Sequence, residues 1–311
     1  MIIELSFING KRMKVQRLEE FNLTQTAGVA CDSLWAYFYV DKELEEISGV
    51  KAFKNDRLIF NGYCDCQRES WDEKGYKVFF YARSSASVLV DNEAMPLTYN
   101  KPSANQLFFS IAKDMGFSAN LPRISSNTKY EVTKGMSCFG AINQFVLLMS
   151  GKSIYVTPYN EIRLLDYSKN VVSLDSNAVL YAQHTTNRSE PYQQIAFKKS
   201  NSQPDYSVHT KSRYGQELGI NKSMLINLSS LPQWQRENTV LNKLKQSYEN
   251  YKVLELKLAG YVDEGLLQRF RYKGYYDYAL SEKRYFCNGD GEFTSLTLKK
   301  MIDIKEITYV D

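Results

Sequence analysis

Ile3, Leu5 and Phe7 alternate with polar neighbours at the very start of the chain, the period of a strand with one buried face. Asn9-Gly10 then turns the chain into residues 11–15, since this pair suits a tight hairpin. Further strand-like segments follow at 21–24, 34–40, 57–68 around Gly62, and 76–83 after a turn at Asp72-Glu73-Lys74-Gly75. Residues 34–40, Leu-Trp-Ala-Tyr-Phe-Tyr-Val, are apolar on both faces and predict a central strand. Short strands at close spacing with no helical period between them predict a small β-barrel or sandwich over residues 1–94.

After Pro96 the period changes. Ser103 and Gln106 have the spacing of a capping box, and Leu107, Phe108, Ile111 and Met115 make a helical stripe that stops at Gly116. A second helix is expected from Ser137, with Ile142, Phe145, Val146 and Met149 inside, ending at Ser150-Gly151. A hairpin across Pro158-Tyr159-Asn160 completes a small α/β domain over 95–168. Strand signals return from Val171, and residues 169–311 read as a second β-barrel domain. It is interrupted by a polar stretch at 199–230, taken as a loop, and by one long helix at 231–251 with apolar Trp234, Leu241, Leu244, Tyr248 and Tyr251. The fold class is therefore mainly β with an α+β insert: two small barrels separated by a helix-containing α/β domain, the second barrel carrying a long helix.

An internal echo links the ends. Gly62-Tyr63-Cys64-Asp65 precedes a turn at Gly75 and an apolar strand; Gly274-Tyr275-Tyr276-Asp277 precedes a turn at Asn288-Gly289-Asp290-Gly291 and another. Chance in a tyrosine-rich chain is one reading, and duplication of one barrel is the other.

The chemistry that would mark an enzyme is sparse. Phosphate-binding glycine loops and a nucleophile elbow are missing. The two histidines, His184 and His209, have no Cys, Ser or carboxylate at a recognisable spacing. Glu45-Glu46 and Asp72-Glu73 could in principle serve a glycosidase, but adjacent charges in polar turns are usually solvated. Cys64 and Cys66 would point the same way on a strand and could hold zinc with two further donors; Cys31, Cys138, Cys287 and the histidines are isolated. Five cysteines, an odd number, do not form a disulfide framework. No catalytic, cofactor or metal site is expected. Lys and Arg total 39 against 35 Asp and Glu, scattered in sign, which argues against a nucleic-acid groove. No run approaches the roughly 18 apolar residues of a membrane helix. The opening segment lacks the pattern of a secretory leader, so synthesis in the cytoplasm and no membrane insertion are expected. Aromatic residues make up 14% of the chain, which suits the pleated, half-buried surfaces of a β-rich protein, and the Tyr272, Tyr275, Tyr276 and Tyr278 cluster is expected to divide between core and interface.

The stretch Gly62-Tyr63-Cys64-Asp65, then Arg83-Ser84 and Leu89-Val90-Asp91, resembles the baseplate hub proteins of contractile-tailed phages, the late-control-D family and the hubs of tail-like bacteriocins and defective prophages. In that family a Gly-apolar-apolar-Asp strand precedes a strand ending in Arg-Ser and then a Leu-Val-Asp. The helix after Pro102, the hairpin within 151–166 and the segment Glu190-Pro191-Tyr192-Gln193-Gln194-Ile195-Ala196-Phe197 are similar to the family's middle region and the start of its second barrel. The resemblance implies a virion structural protein without catalysis or cofactor. It implies a homotrimeric ring in the baseplate of a phage tail or other contractile injection particle, joining the tail tube protein above to the central spike protein below, with tape-measure and wedge proteins as further partners. Trp35, Tyr275 and Tyr276 are the aromatic positions expected at such interfaces. A β-rich carbohydrate- or surface-binding tail module is the alternative, and a cell-wall hydrolase a remoter one.

Overall fold

The structure is a computed structural model describing residues 1–198, 206, 208–229, 231, 233–301 and 307–310. The first part of the chain forms β1 Ile2–Phe7, β2 Arg12–Val15, β3 Glu20–Thr26, β4 Ser33–Val40, β5 Ile47–Lys54, β6 Arg57–Asp72 and β7 Gly75–Ser84. The middle forms α1 Ser87–Asp91, β8 Leu97–Asn100, α2 Ala104–Ile111, β9 Ser118–Asn120, β10 Lys129–Val132, α3 Cys138–Ser150, β11 Ile154–Val156 and β12 Glu161–Leu164. Next come β13 Val171–Ser173, β14 Val179–Thr186, β15 Gln194–Lys198, β16 Val208–Ser212, α4 Arg213–Glu217, β17 Ser223–Asn227 and α5 Gln233–Tyr248. The chain closes with β18 Lys252–Ala259, β19 Arg269–Tyr272, β20 Tyr275–Asn288, β21 Gly291–Lys300 and β22 Ile307–Val310.

Contacts group the chain into two compact units: unit 1 is Met1–Tyr167, Lys257–Leu267 and Ser281–Leu296, and unit 2 is Ser168–Leu256, Gln268–Leu280 and Thr297–Asp311. In unit 1 the strand order is β20-β3-β4-β7-β6-β5-β1-β2, antiparallel throughout. Alternation puts Ile3, Leu5, Phe21, Leu23, Leu34, Phe38, Val78 and Phe80 into one core, each large side chain contributing about 1.5–3 kcal/mol by leaving water. The fold is mainly β, as expected. The pairing order is open, however, and no closed barrel of paired strands is found among the described residues. β4 is central, between β3 and β7, but it is not buried on both faces. Leu34, Ala36 and Phe38 are buried; Trp35, Tyr37 and Tyr39 are half-buried, because these outer aromatics cover one another rather than a second layer.

The helical part has its own core, including Leu107, Phe108, Ile142, Phe145 and Val146. The capping box forms as its spacing predicts: Ser103 Oγ accepts from Gln106 N at 3.2 Å, and Gln106 Oε1 accepts from Ser103 N at 2.7 Å. α2 stops at Ile111, a short 3-10 turn follows, and Gly116 ends it at φ 84°. α3 is capped by Ser137 at one end and by Gly151 at φ 69° at the other.

In unit 2, β17-β15-β16-β22 form one sheet, against which α5 packs Val240, Leu244 and Tyr248, with Tyr251 beyond it. The stretch 199–230 is therefore not simply a loop: its described residues include β16, α4 and β17. The buried Ile195, Ala196 and Phe197 of β15 organise these polar strands, whose own alternation, Met224 and Ile226, is too brief to read in advance. The long helix is shorter than 231–251, and its buried stripe runs 240-244-248 rather than through Leu241, which is half-buried. The side chain of Trp234 lies outside the described residues.

The two ends of the chain share a strand order. β3-β4-β7-β6 and β14-β18-β21-β20 each place their first, second, fourth and third strands side by side. β7 and β21 also begin alike, at Gly75 with φ 119° and Gly291 with φ 127°, and their burial alternates in step, Val78, Phe80 and Ala82 against Thr294, Leu296 and Leu298. The Gly-Tyr-x-Asp echo itself is out of register: Gly62 lies 10 positions before Asp72, where β6 ends, and Gly274 lies 14 before Asn288, where β20 ends.

Candidate assembly surfaces

The charged residues of the motif at 62–91 converge on one side chain. Arg83, at the end of β7, forks onto Asp65 of β6, Nε to Oδ2 at 2.6 Å and Nη2 to Oδ1 at 3.2 Å. It also forks onto Asp91 at the end of α1, Nη1 to Oδ1 at 2.9 Å and Nη2 to Oδ2 at 2.7 Å. Hydrogen bonding to Arg83 holds the Asp91 carboxyl below its ordinary range. Beside it, Ser84 and Asp32 exchange bonds, Ser84 N to the Asp32 carbonyl at 2.8 Å and Asp32 N to Ser84 Oγ at 3.1 Å. The motif is thus a brace tying the β6–β7 hairpin to the first helix. Arg83→Ala removes about 1 kcal/mol for so exposed a network, a drop of a few degrees in thermal midpoint. The Asp91 carboxyl is depressed in the fold, so its contribution is present above 3.8 and lost as pH falls below that value; calorimetry of wild type and variant should show the gap closing there.

Trp35 lies on the outer face of the same sheet, 5.9 Å from the Tyr37 ring and 6.5 Å from Phe79, with Tyr37 and Phe79 at 4.8 Å. Lys77 sits 4.9 Å over Tyr37 and Arg68 5.6 Å over Phe79. The register carries this face across the unit: Phe286 pairs with Asn22, Asn22 with Trp35, and Trp35 with Tyr81.

Tyr275 and Tyr276 belong to unit 2, whereas Trp35 belongs to unit 1. Tyr275 stacks on His184 at 4.8 Å, and His184 Nε2 lies 3.0 Å from the Tyr278 hydroxyl; burial keeps that imidazole below its ordinary pKa. Tyr276 stays exposed, with Arg271 4.8 Å over its ring. β14, which carries His184, has one paired neighbour among the described residues, β18, and leaves Leu180, Tyr181 and Ala182 exposed. Sequence reasoning gave a strand here but not its exposure, since strand signals do not state which faces stay open.

Unit 1 also holds a cavity of about 370 Å³ lined by Asp32, Arg57, Tyr159, Tyr261 and Lys283 among others. Lys283 is buried and donates to the carbonyls of Glu264 at 3.0 Å and Val262 at 3.4 Å. Burial pulls the Lys283 ammonium down to about 8. It pushes the Asp32 carboxyl up to about 6 against the opposing hydrogen bond from Gln25. No sequence signal marks this pair, since its members stand 251 positions apart.

A bulge between Cys64 and Cys66 breaks the simple alternation that would align the two thiols. Burial pushes the Cys31 and Cys64 thiols up to about 11, and no group of three possible metal ligands occurs among the described residues. No described helix is long and apolar enough to cross a membrane.

No protein-family model matches the chain, and no curated protein matches it. Solved structures do. The 43 kDa tail protein of prophage MuSo2 from Shewanella oneidensis superposes with a TM-score of 0.81 at 11% identity, over 99% of both chains. A tail protein from Neisseria meningitidis MC58 gives 0.76 at 14% identity over 96% of both. An Escherichia coli type VI secretion component, described as similar to the T4 bacteriophage tail proteins gp27 and gp5, gives 0.59 at 9% identity, over 92% of this chain and 74% of that one. The chain therefore has the fold of phage tail and tail-like secretion proteins.

Proposed function

From that fold we propose that the chain is a structural baseplate hub of a contractile phage tail or tail-like particle, acting without catalysis as a homotrimeric ring between tail tube and central spike. In this reading residues 1–94 and 169–311 are the two related β domains and 95–168 the α/β domain between them. The observation that carries it is the recurrence of one strand order at the two ends of the chain. A trimer of such a chain offers six similar β modules, which suits a junction between a sixfold conduit and a threefold tip. The exposed Tyr276 and the aromatic face around Trp35 are available to partners in that arrangement. Light scattering on the purified chain should give about 108 kDa, three times 35.9 kDa; a monomer across a wide concentration range overturns the ring. Binding to the tube and spike proteins of its own particle is the second expected result.

A further inference from the structure

The two units carry opposite net charge. Unit 1 has 24 Asp and Glu against 22 Lys and Arg, a net −2; unit 2 has 11 against 17, a net +6; together they make the chain's +4. In unit 1 the register brings the start of β3, the end of β4 and the β6–β7 turn to one end of the sheet, because Glu20 pairs with Tyr37, Val40 with Tyr76, and Asp72 with Gly75. The loop leaving β4 there reads Asp41-Lys42-Glu43-Leu44-Glu45-Glu46, exposed except at Leu44. Asp72 and Glu73 add two more carboxylates beside Lys74 and Lys77. Next to Asp72 in β6, Trp71 is 78% exposed, whereas Glu45 further along the loop pairs with Lys11 at 3.8 Å. An indole so open to water buries little within its own chain, and tryptophan is the residue type that most often anchors interfaces.

The β19–β20 hairpin of unit 2 has the converse chemistry. It carries Arg269, Arg271 and Lys273 against one carboxylate, Asp277, which binds Arg269 at 3.1 Å and Lys300 of β21 at 3.9 Å, while Arg271 and Lys273 lie over the Tyr276 and Tyr272 rings. That leaves Arg271 and Lys273 exposed without a carboxylate partner among the described residues, beside Tyr276 at 47% exposure.

We propose that the Trp71 end of one copy docks onto the Arg271–Tyr276 hairpin of a second copy, head to tail. Charge complementarity selects this occupant: the hairpin fits an exposed aromatic at an acidic sheet end, and the chain itself presents one, Trp71 level with Val40 and the carboxylates Asp41, Asp72 and Glu73 beside it. Trp71 provides the aromatic face over which an Arg guanidinium is best held. Two different surfaces meet, so the contact is heterologous and repeats into a ring when its rotation closes. The inference rests on the ring reading and names the contact that builds it.

The test compares solution mass of the full chain for wild type, Arg271→Glu with Lys273→Glu, Asp41→Lys with Glu43→Lys, and all four substitutions together. Each pair of reversals should weaken association by about 100-fold, and Trp71→Ala by about 30-fold. The fourfold variant restores opposite signs and should regain the wild-type mass, which a misfolded protein would not. If the wild type assembles and either reversed pair does too at unchanged affinity, this contact is wrong while the ring reading stands. Failure of the fourfold variant to reassemble also overturns it. A wild type that stays monomeric overturns both.

Discussion

Replacing Gly62 by alanine is expected to abolish the stable fold. A Cβ built at Gly62 would lie 2.0 Å from the Arg83 carbonyl oxygen, 2.8 Å from its carbon and 2.8 Å from the Ser84 Cα. All three are backbone atoms of β7, so no side-chain rotation can relieve the clash. The β6–β7 pair would have to open at the point where Arg83 forks onto Asp65 and Asp91. The cost is on the order of 4 kcal/mol or more, in the range of severe overpacking, and the measurement is soluble yield and urea midpoint. Gly274→Ala is the control: nothing lies within 4 Å of its would-be Cβ, so the same substitution in the echoed motif should change the midpoint little. Equal effects at the two sites would mean that the close approach at Gly62 is not what the sequence there serves.

Lys283→Ala is expected to be the second severe variant, costing about 3 kcal/mol at neutral pH. It strips the donor from the Val262 and Glu264 carbonyls and removes the cation that faces the desolvated Asp32. Asp32→Asn should act the other way and in a defined window. The Asp32 carboxyl is raised from 3.8 to about 6, so the folded chain holds a proton there that the unfolded chain has lost. Its contribution to stability is therefore full below 3.8 and falls away as pH rises to about 6. Lys283 is lowered from 10.5 to about 8, so its contribution is full above 10.5 and is lost as pH falls through about 8. Denaturation midpoints followed with pH should show the acid limb in wild type and a flat line there for Asp32→Asn. The double variant should recover part of the Lys283→Ala loss, since removing both charges leaves neither buried alone.

Several features were legible because they are local. Ser103 with Gln106, Ser137 and Gly151 each fix a helix end through bonds within a turn or so of the chain, and the alternation of Ile3, Leu5 and Phe7 states its buried face outright. The motif at 62–91 could be recognised, but not its reason: that Gly62 yields to the β7 backbone, and that Arg83 holds two aspartates, depends on pairing across the hairpin. The echo of Gly62 and Gly274 pointed to a duplication through residues that turn out not to correspond, while the turn glycines read alongside them, Gly75 and Gly291, do match.

By itself the chain's order of residues determined most strands of the opening region, the helices after Ser103 and Ser137 with their caps, and the buried face of the first strand. Those choices depend on neighbours a few positions away and on the period of apolar side chains. Only the tertiary structure decided the 1-2-4-3 strand order at both ends, the strands inside 208–227, the meeting of Asp32 with Lys283, and the alignment of Val40, Tyr76 and Trp71 across three strands. Each of these joins residues far apart in sequence, and a register or a close approach between distant strands is set by packing that no local window contains.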